Sequence, residues 1–258
     1  MEAVSPIVNF TSLQKSYGNG PVVLADITLS VQPGDFVSLI GPSGCGKSTV
    51  LKLVSGLSPW TKGELSVAGK MPRQARDRQA FIFQDATLLP WLTAQHNVEL
   101  PLQLRGVPAT ERVAKARQML ELVGLGDVRE YYPRQLSGGM KMRVSIARAL
   151  TLAPDLLLLD EPFGALDEMT RNRLNEELLA LRQESPFTAM FVTHSVTEAV
   201  FLSNRIIVMA AHPGRFHGEV QVDFSYPRKS ELRTRPEFQA KVNEVSRLLH
   251  EVEEPVHS

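Results

Sequence analysis

The 258-residue chain is poor in cysteine, in unbalanced charge and in long apolar runs. Its one cysteine, Cys45, rules out an intrachain disulfide, so the chain needs no oxidising compartment. Its 28 Lys+Arg balance 28 Asp+Glu, which leaves no global basic excess for a nucleic-acid footprint, although charge can still cluster locally. No stretch approaches the roughly 18 apolar residues of a membrane span, and the runs at 156–159 and 205–210 fall far short. Residues 1–10 lack the basic start and apolar core of a secretion signal. These absences predict a soluble, cytosolic chain whose membrane association comes through a partner. The length supports one large α/β domain or two small ones.

Glycine is concentrated where it matters most. Residues 41–49 read Gly41-Pro42-Ser43-Gly44-Cys45-Gly46-Lys47-Ser48-Thr49. The short apolar run at 36–40 precedes them, and a segment able to continue as a helix follows at 49–54. A turn between such a strand and helix aims successive backbone N–H groups inward, where they and the helix N-terminus bind anionic oxygen. Glycines let the backbone approach phosphate without a Cβ in the way. Lys47 supplies charge to the β- and γ-phosphates, and the Ser48 hydroxyl can ligate Mg²⁺. Cys45 reads as a small tolerated residue of the loop rather than a nucleophile.

Short strand-like runs at 7–10, 22–24, 27–31, 36–40, 64–67 and 80–83 alternate with turns such as Pro33-Gly34 and Lys62-Gly63. Residues 93–152 read mostly helical. Val113, Ala116, Met119, Leu120 and Val123 recur near a 3.6 period before a stop at Gly124, and a second helix is expected from about 139 to 150. Strands at 156–159, 190–193 and 206–209 then alternate with helices at 172–182 and 195–202. This interleaving predicts a mostly parallel, helix-covered sheet with a helical insert. The tail from Pro227 is charged, and 236–251 carries an apolar stripe of Phe238, Val242, Val245 and Leu249 for packing on the domain or on a partner.

Four further segments narrow the chemistry. The apolar run at 156–159 ends in Asp160 and Glu161, at a strand carboxyl end where such sheets bind ligands. Asp160 suits a Mg²⁺ ion held by Ser48 and phosphate, and Glu161 suits the attacking water as base or orienter. Leu136-Ser137-Gly138-Gly139-Met140 precedes a basic helix and offers a second anion site without a lysine. Taken alone, an ordinary serine cap is the better explanation of it. Gln84 follows the run at 81–83, where its amide can touch Mg²⁺ or the attacking water. His194 follows another apolar strand, where its imidazole can reach a γ-phosphate.

In order and spacing, these segments resemble the ATP-binding-cassette (ABC) family over nearly the whole chain. Residues 41–49 look like its first nucleotide motif, Gln84 like its glutamine loop, 136–140 like its signature and 156–161 like its second nucleotide motif. Gly164-Ala165-Leu166-Asp167 resembles the loop that follows, and His194 the switch histidine. Tyr17 resembles the aromatic that stacks on adenine. Many members carry Gln after the signature Met, where this chain has Lys141.

The resemblance implies an ATPase that uses ATP and Mg²⁺. The implied fold is the P-loop NTPase type: a RecA-like, mostly parallel core sheet, an N-terminal antiparallel β subdomain and a helical subdomain. The expected division of this single nucleotide-binding domain is a core at about 1–87 and 153–220, a helical part at 88–152 and a tail at 227–258. The implied catalytic residues are Glu161, His194, Gln84 and Lys47, with Ser48, Gln84 and Asp160 at the metal. Nucleotide contacts fall to Tyr17, residues 41–49, and Ser137, Gly138 and Gly139.

The resemblance also splits the site, so that Ser137 and Gly139 of a second copy complete it. Leu88-Leu89-Pro90-Trp91 and Pro213-Gly214-Arg215 resemble importer ATPases for nitrate, sulfonate, taurine and bicarbonate. Two transmembrane permease subunits and, indirectly, an extracytoplasmic solute-binding protein are then the expected partners. The expected location is the cytoplasmic face of the inner membrane, with no nucleic acid bound. A lipid-trafficking or export ATPase, or a non-transport cassette protein, is the alternative.

Overall fold

The computed structural model describes residues 5–253. Residues 1–4 of the start read for a secretion signal, and 254–258 of the expected tail, lie outside the described residues. Two sheets organise the fold. The smaller is antiparallel, in the order β2 (Val22–Val31), β1 (Val8–Ser16), β4 (Lys62–Val67). The larger has six strands in the order β5 (Gln79–Ile82), β6 (Leu156–Asp160), β7 (Thr188–Val192), β3 (Phe36–Ile40), β8 (Arg205–Ala210), β9 (Arg215–Gln221). All neighbours in it are parallel except β8 and β9.

Every residue of β3 and β7 is buried, as are Leu156, Leu157, Leu158 and Leu159 of β6. Parallel strands covered on both faces must be apolar throughout, which is why these read as continuous runs. One apolar core lies between the two sheets, around α1 (Lys47–Val54), with Phe10, Leu24, Leu39 and Leu51. The other lies across the large sheet, beneath the remaining helices.

Helices α2 (Ala94–Leu104), α3 (Ala109–Leu122) and α4 (Gly138–Leu150) pack on one another between β5 and β6. Helix α5 (Glu168–Glu184) connects β6 to β7, and α6 (Val196–Leu202) connects β7 to β8. The tail helix α7 (Pro236–Glu253) packs on the domain, against α6, β8 and β9, with Phe238 and Val245 fully buried. Ahead of α7, the buried Arg228 ties the tail to α6. Its Nη1 donates to the carbonyls of Val200 (3.2 Å), Phe201 (3.0 Å) and Ser203 (2.8 Å), at the helix's last turn. Burial lowers the pKa of this guanidinium.

Several elements differ from the sequence expectation. The runs at 22–24 and 27–31 are one strand, which passes through Asp26 at φ 50°. Strand β1 continues past residue 10 to Ser16 through an irregularity at Ser12, φ 43°. Strand β9 was not expected at all: its alternating exposed residues, Arg215, His217 and Glu219 among them, belong to a polar edge strand.

Candidate nucleotide site

Register alone brings the motif residues together. Leu39 and Asp160 both pair with Val192, and Ile40 pairs with Val208, so β6, β7 and β3 end side by side. The chain leaves β3 as Gly41, β6 as Glu161 and β7 as Thr193-His194. The adjoining β5 leads to Gln84. Backbone bonds fasten these exits: Glu161 N donates to Val192 O (3.0 Å), and Thr193 N to Leu39 O (3.4 Å).

A cavity of about 240 Å³ is walled by Val23, Ser43, Gly44, Gly46, Lys47, Ser48, Thr49, Glu161 and His194. Gly46 caps α1 with φ 99°, where a Cβ would lie 2.5 Å from Leu24 Cδ2. No side chain caps that helix, so its first N–H groups remain available to an anion. Lys47 Nζ donates to the loop's own carbonyls at Gly41 (2.8 Å) and Pro42 (3.0 Å). Gly41, Pro42 and Cys45 therefore shape the loop from behind rather than wall the cavity. The Cys45 side chain belongs to the core, and burial raises its thiol pKa.

Ser48 Oγ donates to Asp160 Oδ1 at 2.7 Å. Burial raises the Asp160 carboxyl pKa, and the Ser48 hydrogen bond pulls it back. Two hard oxygen ligands side by side beneath a phosphate loop fit Mg²⁺, which takes few protein ligands and fills its remaining positions with phosphate and water. Among the described residues, no group of three His, Cys, Asp or Glu side chains could hold a metal by themselves.

His194 Nε2 and Glu161 Oε1 lie 2.6 Å apart, and Glu161 has a positive φ of 50°. A non-glycine residue in that region is uncommon and is held there by its surroundings. A second cavity, of about 210 Å³, adjoins the same pair and is walled by Gln84, Glu161, Gly164, Arg171, Thr193, His194, Ser195 and Glu198. Gln84, Glu161 and His194 are thus brought together, with Lys47 and Ser48 on the other side of Glu161 and His194.

Other expected contacts stand apart. Tyr17 is exposed at the β1–β2 turn with the Lys15 ammonium 4.3 Å from its ring centroid, while Val23 from the same hairpin reaches the cavity wall. Ser137, Gly138 and Gly139 start α4 and wall neither cavity. Ser137 Oγ accepts from Met140 N (3.3 Å), as a cap does. A Cβ at Gly138 would meet Leu166 Cδ2 at 3.5 Å, and one at Gly139 would meet Thr170 Cγ2 at 3.1 Å. Gly138 therefore faces the loop after Glu161, and Gly139 the first turn of α5, rather than the phosphate loop.

The sequence reading missed three contributors. Gly214 wedges between β2 and the phosphate loop: its N donates to Val23 O, its O accepts from Ala25 N, and a Cβ would lie 2.1 Å from Cys45 O. Thr193 and Glu198 pair beneath His194. The pattern Ser195-x-x-Glu198 could have been read as a capping box.

The ABC transporter family profile matches residues 24–164, more than half of the chain. The chain is 43% identical to the aliphatic sulfonates import ATP-binding protein SsuB of Bacillus thuringiensis subsp. konkukian, over 91% of this chain and 93% of that one. It is 42% identical to an uncharacterized ABC transporter ATP-binding protein of Methanocaldococcus jannaschii, over 92% of this chain and 88% of that one. A solved dimer of an ATP-binding cassette in a post-hydrolysis state, bound to ADP and Pi, superposes with a TM-score of 0.75 at 33% identity, covering 84% of this chain and all of that one. With its phosphate loop, paired acids and histidine on adjoining strand ends, this chain belongs to the ABC transporter family and is an ATPase.

Proposed function

We propose that the chain is the ATP-hydrolysing subunit of an importer for a small organic anion of the aliphatic sulfonate class, acting as a pair of identical subunits. The observation that carries the catalytic half is the Ser48–Asp160 contact and the Glu161–His194 contact at adjoining strand ends. The likeness to SsuB over most of both chains supports the solute class.

Nucleotide phosphates enter the cavity walled by Ser43, Gly44, Gly46 and Thr49. They meet the N–H groups of the loop and draw the Lys47 ammonium away from the Gly41 and Pro42 carbonyls. Ser48 and Asp160 would hold Mg²⁺, which would withdraw charge from the phosphate oxygens. Glu161 accepts the proton of the attacking water. His194 fixes the Glu161 carboxylate in the meantime and then faces the γ-phosphate, with Gln84 at the edge of the same space.

Ser137, Gly138 and Gly139 wall neither cavity of this chain. They serve the nucleotide of the second copy. ATP then drives closure because it binds the closed pair better than the open one. Tyr17 takes the adenine on its free face.

The insert at 88–152 moves as a helical unit against the core at about 1–87 and 153–220, while the tail from 227 stays with the core. Two permease subunits dock beside Gln84, where Trp91 (69% exposed) and a groove of Leu57, Phe81 and Phe83 leave apolar surface open. No helix among the described residues is long and apolar enough to cross a membrane, so the permeases supply the membrane attachment and a solute-binding protein delivers the anion to them.

The test of pairing mixes a Lys47→Ala copy with a Gly138→Asp copy. Each alone is expected to be nearly inactive, and the mixture to regain part of the ATPase rate through one intact composite pocket. Full activity of the Gly138→Asp chain as a monomer rejects the shared site. The test of solute deletes the gene and asks for growth on an alkanesulfonate as sole sulfur source. Undiminished growth, or loss of lipid export instead, rejects sulfonate import.

A further inference from the structure

His194 is flanked by a closed hydrogen-bond circuit. On its N-terminal side, the Thr193 hydroxyl donates to Glu198 Oε2 and accepts from Ser195 N at 3.0 Å. On its C-terminal side, Ser195 is the N-cap of α6, and its Oγ accepts from Glu198 N at 3.3 Å. An ordinary capping box returns the glutamate side chain directly to the N-cap N–H. Here the Thr193 hydroxyl is inserted into that return path, so the box spans 193–198 and encloses the His194 backbone.

Thr193 and Glu198 are buried, only 3% and 4% exposed, while Ser195 is half-buried. The Thr193 oxygen accepts the Ser195 N–H, and its own proton points at Glu198 Oε2. Glu198 also faces the buried Asn175 amide of α5, and Arg171 and Arg233 lie in its electrostatic reach. Arg171 in turn donates to Leu166 O at 2.8 Å, in the loop that follows Glu161. The outer end of α6 is held separately by Arg228.

We infer that Thr193 and Glu198 are positioning residues that hold His194 in reach of Glu161, so that their effect on hydrolysis passes through the histidine. This rests on the catalytic reading of His194 given above. Neither side chain touches nucleotide in this reading. Loss of the hydroxyl frees Ser195 N and the Glu198 carboxylate together, and the turn bearing the imidazole loses its fixed direction. Misplacement of a catalytic group by about 1 Å can cost roughly 10²-fold in rate.

The test uses the full-length chain and phosphate-release assays. Thr193→Val, which keeps the side-chain shape, is expected to lower kcat about 10- to 100-fold while KM for ATP changes less than about twofold. Thr193→Ser, which keeps the hydroxyl, is expected to restore most of the rate. Glu198→Gln is expected to fall between them, and thermal melts identify any variant that fails to fold. In a His194→Ala background, single-turnover rates are expected to be the same with Thr193 and with Val at that position. A Thr193→Val loss of equal size in both backgrounds overturns the inference, as does a wild-type kcat for Thr193→Val. If His194→Ala itself hydrolyses at the wild-type rate, the role of the histidine fails, which is a separate outcome.

Discussion

Helices α1 and α4 both begin beside glycines, and neither has an acidic residue in its first turn. Neither start therefore has a carboxylate in its own first turn, unlike those of α3, α5, α6 and α7. The two starts nevertheless differ. Helix α1 is capped by Gly46 with no side-chain acceptor, and Lys47 adds a full charge inside a walled cavity. Helix α4 satisfies one donor with Ser137 and stands outside both cavities. One start adjoins a walled cavity with a lysine, and the other has donors in surplus and stands outside both cavities. This difference is what a site shared between two copies requires of a single chain.

The comparison can be tested from its strongest consequence downward. Glu161→Gln removes the base beside α1 and is expected to slow hydrolysis about 10²–10⁴-fold with ATP binding retained; near-normal phosphate release would take Glu161 out of that role. Gly138→Asp puts a carboxylate at the start of α4, where a Cβ meets only ordinary contact. ATP affinity and melting temperature of the single chain should hold, while turnover falls about 10²-fold through the partner's pocket. Equal loss of ATP affinity would place the two starts in one site.

Lys47→Ala should weaken ATP binding roughly 10–100-fold, the worth of a charge-assisted contact, measured by calorimetry. Unchanged affinity would reduce α1 to an ordinary helix start. The smallest effect is Ser137→Ala, which removes a cap worth about 1 kcal/mol and should lower the melting temperature by about 2–4 °C. Turnover should fall by more than this stability loss, because the partner's nucleotide also loses the hydroxyl; a fall no larger than the cap explains would take Ser137 out of the partner's pocket.

The buried half of the fold was legible because burial on both sides leaves few polar positions to confuse the pattern, only Ser38 within Phe36–Ile40 and the terminal Asp160 of Leu156–Asp160. Legibility failed where the backbone leaves regular geometry. Ser12 and Asp26 break the alternation of β1 and β2 with positive φ, so a continuous strand looked like fragments. Strand β9 has one deeply buried residue, Val220, and an edge strand of that kind carries no apolar signature.

At the site, each motif announced its own chemistry, but the contacts that join motifs were invisible. Ser48 and Asp160 are 112 residues apart, and only the strand order makes them neighbours. Cys45 adds what its motif does not announce: its side chain turns into the core, so any nucleotide contact at that position falls to its backbone. The Thr193–Glu198 pair could have been found from the local serine-to-glutamate spacing, but the apolar strand before it drew attention to His194 alone.

The arginine that binds the last turn of α6 also sets an order of events during synthesis. A ribosome releases the chain from its first residue onward. Gly41 through His194 have all emerged before Arg228, so a nascent chain can hold every nucleotide motif while the carbonyls of Val200, Phe201 and Ser203 still wait for their donor. The growing polypeptide gains its catalytic vocabulary early and its mechanical closure late.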